Sequence, residues 1–188
     1  NYAYDGGGAV YVKEGILTVI TSALTCNGVN DYGGAIYING GSLEIFNSTL
    51  NNNSAEEGGG AIYSNGNNLT IVNSTLDNNR AYGSYGGAVH NDQGYLTVIG
   101  SRIRNNYAED NVAVCTGNED NVVFSNNEIF NGNVYGFTAD DSNTIINPPR
   151  FGLMAVFDSS LRIRVFERGD ERFNGDITLT IGGEDYVV

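Results

Sequence analysis

The chain has 188 residues, a formal net charge of −13 and an apolar fraction of 40%. That apolar fraction is too high for a disordered acidic tail, and the length suits one domain or one and a half. The negative charge argues against nucleic acid as a partner, because phosphate binding needs clustered lysine and arginine. No apolar run approaches the ~18 to 20 residues that cross a bilayer, so no membrane insertion is expected.

The chain starts with an internal repeat of 25 to 27 residues. Its signature, two small residues, an alanine and an aliphatic residue, occurs at 7–10, 33–36, 59–62 and 86–89, with a degenerate copy at 111–114. Two aliphatic columns follow at the same spacing: Leu17, Leu43, Leu69, Leu96 and Val122, and then Leu24, Leu50, Leu76, Ile103 and Ile129. The distance between the two columns is constant while the connecting turns vary in length, which indicates a coiled repeat.

Within each copy the apolar residues alternate over short stretches, as in Leu69-Thr70-Ile71, which is the periodicity of strands. Asparagine and glycine clusters separate the stretches and supply the left-handed backbone angles of tight turns. A leucine-rich repeat would need a different leucine pattern, and a propeller blade would need roughly 40 residues. The sequence therefore predicts an all-β fold, a right-handed parallel β-helix of about five coils over residues 1–147, with the hand taken from the preferred parallel crossover.

Stacking of the coils would place equivalent residues on rungs about 4.8 Å apart. The asparagine pairs 52–53, 78–79 and 105–106 are expected to stack at one corner and to hydrogen-bond through their amides. Cys26 falls in a corner column of the first coil and Cys115 on a strand of the fifth, roughly 16 Å apart along the axis. A disulfide cannot span that distance, so both cysteines are predicted to be free thiols.

Both ends of the chain depart from the regular repeat. Residues 1–6 align with residues 53–58, so the chain starts in the middle of a coil and further coils are expected upstream. The repeat fades after Ile129, and Pro148-Pro149 marks a break. Alternating stretches and turn signals such as Asn174-Gly175 follow. Residues 148–188 are therefore predicted to form the first antiparallel strands of an immunoglobulin-like β-sandwich, a domain that needs about 100 residues in full.

The coil consensus, Gly-Gly-Ala-Ile-Tyr followed by Leu-Thr-Ile-Val-Asn-Ser-Thr-Leu, resembles two related groups of surface proteins. One is the chlamydial polymorphic outer-membrane proteins, whose GGAI motif occurs at 33–36 and 59–62 and whose FxxN motif has an aliphatic lead here, as at 50–53. The other, which is more similar, is the adhesin-like surface proteins of methanogenic archaea, in which coils precede immunoglobulin-like repeats. The tail at 173–187 resembles the start of such a repeat. The resemblance implies an adhesive or scaffold role at a cell surface and brings no catalytic residues with it.

Catalysis is the main alternative, since parallel β-helices include polysaccharide lyases and glycoside hydrolases. Glycosidases need two carboxylates at a fixed separation. The pectin hydrolases of this fold share Asn-Thr-Asp, Asp-Asp and Gly-His-Gly motifs, whereas here Asp140-Asp141 is isolated and the single histidine, His90, has no flanking glycines. Pectate lyases need a calcium-binding acidic cluster beside a catalytic Arg or Lys, and Lys13 is the only lysine. No catalytic residue is assigned.

One column next to the aliphatic core is largely aromatic, and we call it the aromatic column: Tyr11, Tyr37, Tyr63 and His90, continued by Cys115. Strand alternation turns this column outward if the preceding aliphatic residues point inward. Stacked tyrosines would form a flat strip suited to sugar rings or to a protein partner. The alternative is that the tyrosines only stabilise packing between strands. The sequence favours this packing role, and the aromatic column is the candidate ligand-binding site.

A second column precedes each signature by four residues, and we call it the acidic column: Asp5, Asp31, Glu57 and Glu109, with Ser84 in the fourth coil. Carboxylates at rung spacing repel one another unless they spread into water or are bridged by a hard cation such as calcium. The chain lacks the nonapeptide pattern of calcium-binding β-rolls. The sequence therefore favours solvated turn acids, with calcium as the alternative and no other cofactor expected.

These features predict a non-catalytic, extracellular protein of the cell surface. Its β-helical surface is expected to contact a glycan or a protein on a host or neighbouring cell. A polysaccharide lyase or glycoside hydrolase of the pectin-degrading type is the first alternative. An inert surface spacer is the second.

Overall fold

The computed structural model describes residues 1–83, 85–110 and 112–146, together with the strand backbones at 151–157, 161–167, 178–181 and 184–187. The chain forms two compact units, Asn1–Asn147 and Pro148–Val188. The first unit is a parallel β-solenoid of about five coils, which confirms the predicted all-β repeat fold. Helical structure in the described residues is limited to one 3₁₀ turn at Glu119–Asn121.

The strands of the first unit are short because a turn interrupts each coil several times. In chain order they are β1 (Tyr2–Ala3), β2 (Val10–Val12), β3 (Ile16–Ile20), β4 (Ala23–Thr25), β5 (Gly28–Val29), β6 (Ile36–Asn39), β7 (Ser42–Phe46), β8 (Thr49–Asn51), β9 (Ser54–Ala55), β10 (Ile62–Val72), β11 (Thr75–Asp77), β12 (Arg80–Ala81), β13 (Val89–Ile99), β14 (Arg102–Arg104), β15 (Val112–Thr116), β16 (Val122–Ser125), β17 (Glu128–Phe130), β18 (Asn133–Tyr135) and β19 (Thr144–Ile146).

These strands stack into three parallel sheets that form the walls of the coils. The largest sheet contains β2, β3, β6, β7, β10, β13, β15, β16 and β18. A six-stranded sheet contains β4, β8, β11, β14, β17 and β19, and a four-stranded sheet contains β1, β5, β9 and β12. Equivalent residues of successive coils pair directly, as Leu17, Leu43, Leu69 and Leu96 do. The register predicted from the repeat is therefore confirmed.

The aliphatic columns form one continuous core inside the coils. Ile36, Leu43, Leu50 and their equivalents in the next two coils are fully buried, and all of them belong to one hydrophobic cluster. Burial of each such side chain contributes about 1.5 to 3 kcal/mol. β6 and β7 alternate as predicted, since the residues on either side of each buried position in these strands are half-buried or exposed.

Two corners of each coil use left-handed residues, and this explains the asparagine content. Their φ angles lie between 46° and 61°, and the residues are Thr21, Asn47, Asn73, Gly100 and Asn126 at one corner, and Cys26, Asn52, Asn78, Asn105 and Asn131 at the other. Asparagine adopts this conformation more readily than most residues because its short polar side chain bonds locally. The third turn uses the first glycine of the signature, such as Gly59 with a φ of 65°.

The residue after each left-handed corner points inward and forms a buried hydrogen-bonded ladder. Asn53 donates its backbone N–H and its side-chain amide to Oδ1 of Asn79 at 3.0 Å, and Asn79 does the same to Asn106 at 2.9 Å. The serine hydroxyls at the other corner accept the backbone N–H one coil below, as Ser74 does from Ser48. The predicted stack of asparagine pairs is therefore confirmed at this corner. The second members form the buried ladder, and among the exposed first members Asn78 donates its side-chain amide to Oδ1 of Asn52.

The second glycine of the signature lets two strand backbones approach closely. A Cβ on Gly60 would collide with the carbonyl oxygen of Gly87 and with the backbone of Arg80 in β12. The same holds at Gly34, next to the backbone of Ser54. This column therefore needs glycine for space, while the first glycine is needed for its backbone angle.

The repeat continues beyond the point where it fades in the sequence. β18 pairs with β15 and places Tyr135 on Cys115, while β19 pairs with β17 and places Ile145 on Ile129. Asn127 donates its backbone N–H to Asn143 at 3.0 Å, although the two are 16 residues apart. A shortened arc therefore follows the fifth coil. It has fewer residues between its strands than a full coil, and Asn143 still continues the hydrogen-bonded ladder.

The remaining sequence predictions have simple outcomes. Cys26 is exposed, Cys115 is buried and both are free, as predicted. In the second unit, β20 (Phe151–Phe157) pairs with β21 (Leu161–Glu167) and β22 (Thr178–Ile181) with β23 (Glu184–Val187), both antiparallel. Pro148-Pro149 and the turns at 158–160, 174–175 and 182–183 lie outside the described residues. The immunoglobulin-like assignment stays a prediction.

Candidate functional site

Four successive strands position the aromatic column on the outer face of the largest sheet. Tyr11 pairs with Tyr37, Tyr37 with Tyr63 and Tyr63 with His90 along β2, β6, β10 and β13. The neighbours of Tyr37 on both sides, Ile36 and Ile38, are fully buried, so the tyrosine points away from the core. The column is exposed only at its start, since Tyr11 is 48% exposed and Tyr63 only 8%.

The aromatic rings of this column pack edge to face. The ring centroids of Tyr11 and Tyr37, and of Tyr37 and Tyr63, are 5.1 Å apart with interplanar angles of 85° and 83°. His90 packs on Tyr63 in the same way, with ring centroids 5.0 Å apart and an interplanar angle of 81°. These distances and angles are those of favourable aromatic pairs. The flat strip expected from the sequence does not form, because each ring stands perpendicular to the next.

Two tyrosines outside the predicted column cover it. The ring centroids of Tyr32 and Tyr63 are 4.4 Å apart, and those of Tyr85 and His90 are 5.6 Å apart. Tyr32 and Tyr85 occupy the coil position that Gly6 and Gly58 occupy in the alternate coils. Each glycine leaves room for a ring of the next coil, Tyr37 at Gly6 and His90 at Gly58. This alternation of glycine and tyrosine, three residues before each signature alanine, is the sequence signal that could have identified the covering residues.

Burial changes the ionisation of the aromatic column. Loss of solvent raises the pKa of Tyr63, and the carboxylate of Asp92 adds to the shift. Burial lowers the pKa of His90, and Asp92 partly opposes that effect. Burial also raises the pKa of the Cys115 thiol to about 12, so this cysteine is a poor nucleophile. Near neutral pH the neutral forms of Tyr63, His90 and Cys115 are therefore favoured.

The acidic column lies next to the aromatic column at its exposed end. Asp31 is half-buried, and Asp5, Glu57 and Glu109 are exposed. Burial and the negative charges of Glu57 and Asp5 raise the pKa of Asp31. Ser84, the fourth-coil member, lies outside the described residues. No three acids, histidines or cysteines among the described residues come together as a metal site, so calcium at these positions stays a prediction.

A wide groove of about 1040 Å³ lies at the other end of the solenoid. Glu119, Asp120 and Asp140 contribute its carboxylates, and Tyr135 and Phe137 contribute aromatic rings. Asp140 accepts hydrogen bonds from the backbone N–H of Ser142 and from its hydroxyl, which lower the pKa of that carboxyl. The sequence singled out Asp140-Asp141, and the structure places Asp140 in this groove. His90 does not line it.

Comparison with known proteins identifies the repeat unit. The family model described as "right handed beta helix region" matches residues 34–148, which is more than half of the chain. No curated protein and no solved structure matches the chain. Among the described residues, none of the helical structure is long and apolar enough to cross a bilayer.

Proposed function

This chain belongs to the right-handed beta-helix family, and from that premise we propose that it is a non-catalytic binding protein of a cell surface. In this proposal the aromatic column and the tyrosines that cover it, on the outer face of the largest sheet, contact a glycan or a protein on a neighbouring cell. The fold alone assigns no activity, because parallel coils can carry binding surfaces as well as active sites. Support for the proposal therefore has to come from the residues exposed on the coils.

The proposal is supported by two exposed tyrosines: one starts the aromatic column and the other covers it. We call the aromatic column and its two covering tyrosines, Tyr32 and Tyr85, the aromatic cluster. Tyr11 is 48% and Tyr85 is 51% exposed, although both pack against half-buried rings of the aromatic column. Rings held in this way lose little conformational freedom when a ligand covers them, which is why tyrosine is common in binding surfaces. The acidic column beside them adds polar groups that can orient a ligand.

The resemblance of the coil consensus to adhesin-like surface proteins supports an extracellular location. The two antiparallel hairpins, β20–β21 and β22–β23, fit the opening strands of an immunoglobulin-like domain. In the proposal that domain serves as a stalk. If the coils bind nothing, the same architecture serves as an inert spacer.

The second candidate is a polysaccharide-degrading enzyme, and the acidic groove at the end of the coils favours it. A glycosidase needs one carboxyl that keeps its proton near neutral pH and one that is ionised. The hydrogen bonds from Ser142 hold Asp140 in its ionised form. Asp140 therefore suits the role of the ionised carboxylate and not that of the proton donor. For this reason we favour the aromatic face over the groove as the functional site.

The test combines retention and cleavage on one panel of plant and microbial polysaccharides and surface proteins. The full chain is expected to be retained by a ligand of the panel without releasing reducing ends or unsaturated products. Tyr11→Ser and Tyr85→Ser are each expected to weaken that retention about tenfold, since an aromatic contact contributes about 1.5 kcal/mol.

Tyr95→Ser is the matched control, because Tyr95 is 57% exposed on β13 but lies outside the aromatic cluster. Its retention should equal that of the wild-type chain. Release of products, or equal losses in all three variants, would contradict the proposal. No retention on any ligand would favour the spacer.

A further inference from the structure

A cavity of about 620 Å³ lies at the exposed end of the aromatic column, between the first and second coils. Three tyrosines and two carboxylates line it around a glycine: Tyr4, Tyr11, Tyr37, Asp5, Asp31 and Gly6. It therefore combines the exposed ends of the aromatic and acidic columns. No basic side chain contributes to its lining among the described residues.

The shape of this cavity follows from Gly6 and from the ring packing. A Cβ at Gly6 would collide with the ring of Tyr37, so the ring lies directly on bare backbone. Tyr11 meets Tyr37 at 85°, and the two rings form a trough. A sugar ring stacks best on a flat aromatic face, whereas a trough fits a slim alkyl chain.

The charge of the cavity favours a cation. Asp31 lines the cavity together with Asp5. Burial and the negative charges of Glu57 and Asp5 raise the pKa of Asp31. Among the bases of the coils, Arg102 and Arg104 pair with Glu128 and Arg80 lies over the rings of Tyr82 and Tyr107. Lys13 does not line the cavity. A positive charge entering the cavity would relieve the repulsion between the carboxylates and would also contact the faces of the tyrosine rings.

We propose that this cavity binds the side chain of a lysine on a protein partner. The four-carbon stem of lysine packs in the trough between Tyr11 and Tyr37, and its ammonium group reaches Asp5 and Asp31. A protein with exposed lysines also complements the net charge of −13. This inference depends on the proposed function and narrows its ligand from a glycan or a protein to a protein.

The test measures binding of short blocked peptides to the full chain by the NMR shifts of its tyrosine rings. One peptide contains a single lysine among glycines, and its control contains acetyl-lysine. Glucosamine and N-acetylglucosamine tetramers form a second matched pair. The lysine peptide is expected to bind at least tenfold more tightly than its acetylated control and more tightly than either sugar.

Asp31→Asn is the informative variant because it separates binding from folding. It removes a charge from the cavity, so affinity for the lysine peptide should fall at least tenfold. It also removes the repulsion from Asp5 and Glu57, so the melting temperature at pH 7 should rise. Glu14→Gln removes one exposed charge outside the cavity and should change neither the affinity nor the ring shifts.

Three outcomes would overturn the inference. Equal affinity for the lysine and acetyl-lysine peptides would show that the cavity does not recognise the ammonium group. Tighter binding of the glucosamine tetramer would replace the protein partner by an amino sugar. Retention of a panel ligand without any peptide binding would leave the proposed binding function intact and reject the lysine site alone.

Discussion

At the scale of single residues, His90 is the most sensitive position of the aromatic column. Its ring is packed between Tyr63 and Tyr85, and its Nδ1 atom is buried without a hydrogen-bond partner among the described residues. Burial lowers the pKa of His90, and the neighbouring Asp92 only partly offsets that effect. The folded chain therefore favours the neutral imidazole.

This burial predicts a loss of stability in mild acid. Below the unfolded pKa of about 6.5, the unfolded chain takes up a proton that the folded chain resists, so the free energy of unfolding falls as the pH falls. His90→Phe keeps an aromatic ring and removes the titration. Denaturant unfolding between pH 7 and pH 5 should show a clear decrease for the wild-type chain and a flatter profile for the variant. Parallel profiles would show that His90 does not titrate in this range.

The residue scale also shows where the sequence was insufficient for the site. The spacing placed Tyr11, Tyr37, Tyr63 and His90 in one column, because strand pairing preserves register between coils. It did not predict that Tyr63 is only 8% exposed. The covering ring of Tyr32 comes from a different position of the preceding turn, and turn conformation decides where such a ring lies.

At the scale of the structural elements, the buried asparagine ladder holds the corners of the coils. Oδ1 of Asn79 accepts the backbone N–H and the amide of Asn53, and its amide donates to the carbonyl of Leu50 at 2.8 Å and to Asn106. These partners have no access to water, so each one left unpaired costs about 1 to 3 kcal/mol. The ladder therefore specifies the corner as well as stabilising it.

Asn79→Ala is expected to lower the free energy of unfolding by about 3 kcal/mol, because it leaves several buried groups unpaired at once. Asn68→Ala is the control, since Asn68 is exposed on β10. That variant should stay within about 0.5 kcal/mol of the wild-type chain. Chemical denaturation of both variants measures the difference. Similar stabilities would show that neighbouring groups or water replace the ladder at no cost.

The elements themselves were predictable to different degrees. The fixed spacing between Leu43 and Leu50 and its equivalents determined the strands and their register. The two members of the pair Asn52-Asn53 could not be distinguished by composition, since one needs a left-handed backbone and the other a buried amide. The β-helix predicted over residues 1–147 included the final arc but not its register, because Asn143 follows Asn127 after 16 residues and a search for a constant period does not detect that spacing.

At the scale of the whole molecule, the net charge of −13 opposes compaction. Dissolved salt screens charges separated by more than about 10 Å at 0.1 M. The melting temperature is therefore expected to rise when sodium chloride increases from about 10 mM to about 200 mM. Thermal unfolding followed by circular dichroism measures this shift, and a salt-independent melting temperature would contradict it.

Calcium chloride at matched ionic strength separates screening from a specific site. The expected result is the same melting temperature as in sodium chloride, because Asp5, Glu57 and Glu109 are exposed and their charges are solvated. An additional rise in calcium would instead identify bound cation. Asp31→Asn and Glu57→Gln would then show whether the acidic column holds it.

The pairing of like residues between successive coils has a genetic consequence. Each coil presents the same columns on its upper and lower edges, as the chain of pairs from Leu17 to Leu96 shows. Recombination within the gene that adds or removes a whole repeat joins matching edges and creates no new kind of contact. The length of such a molecule can therefore evolve in steps of one rung, about 4.8 Å, while smaller insertions are confined to the turns.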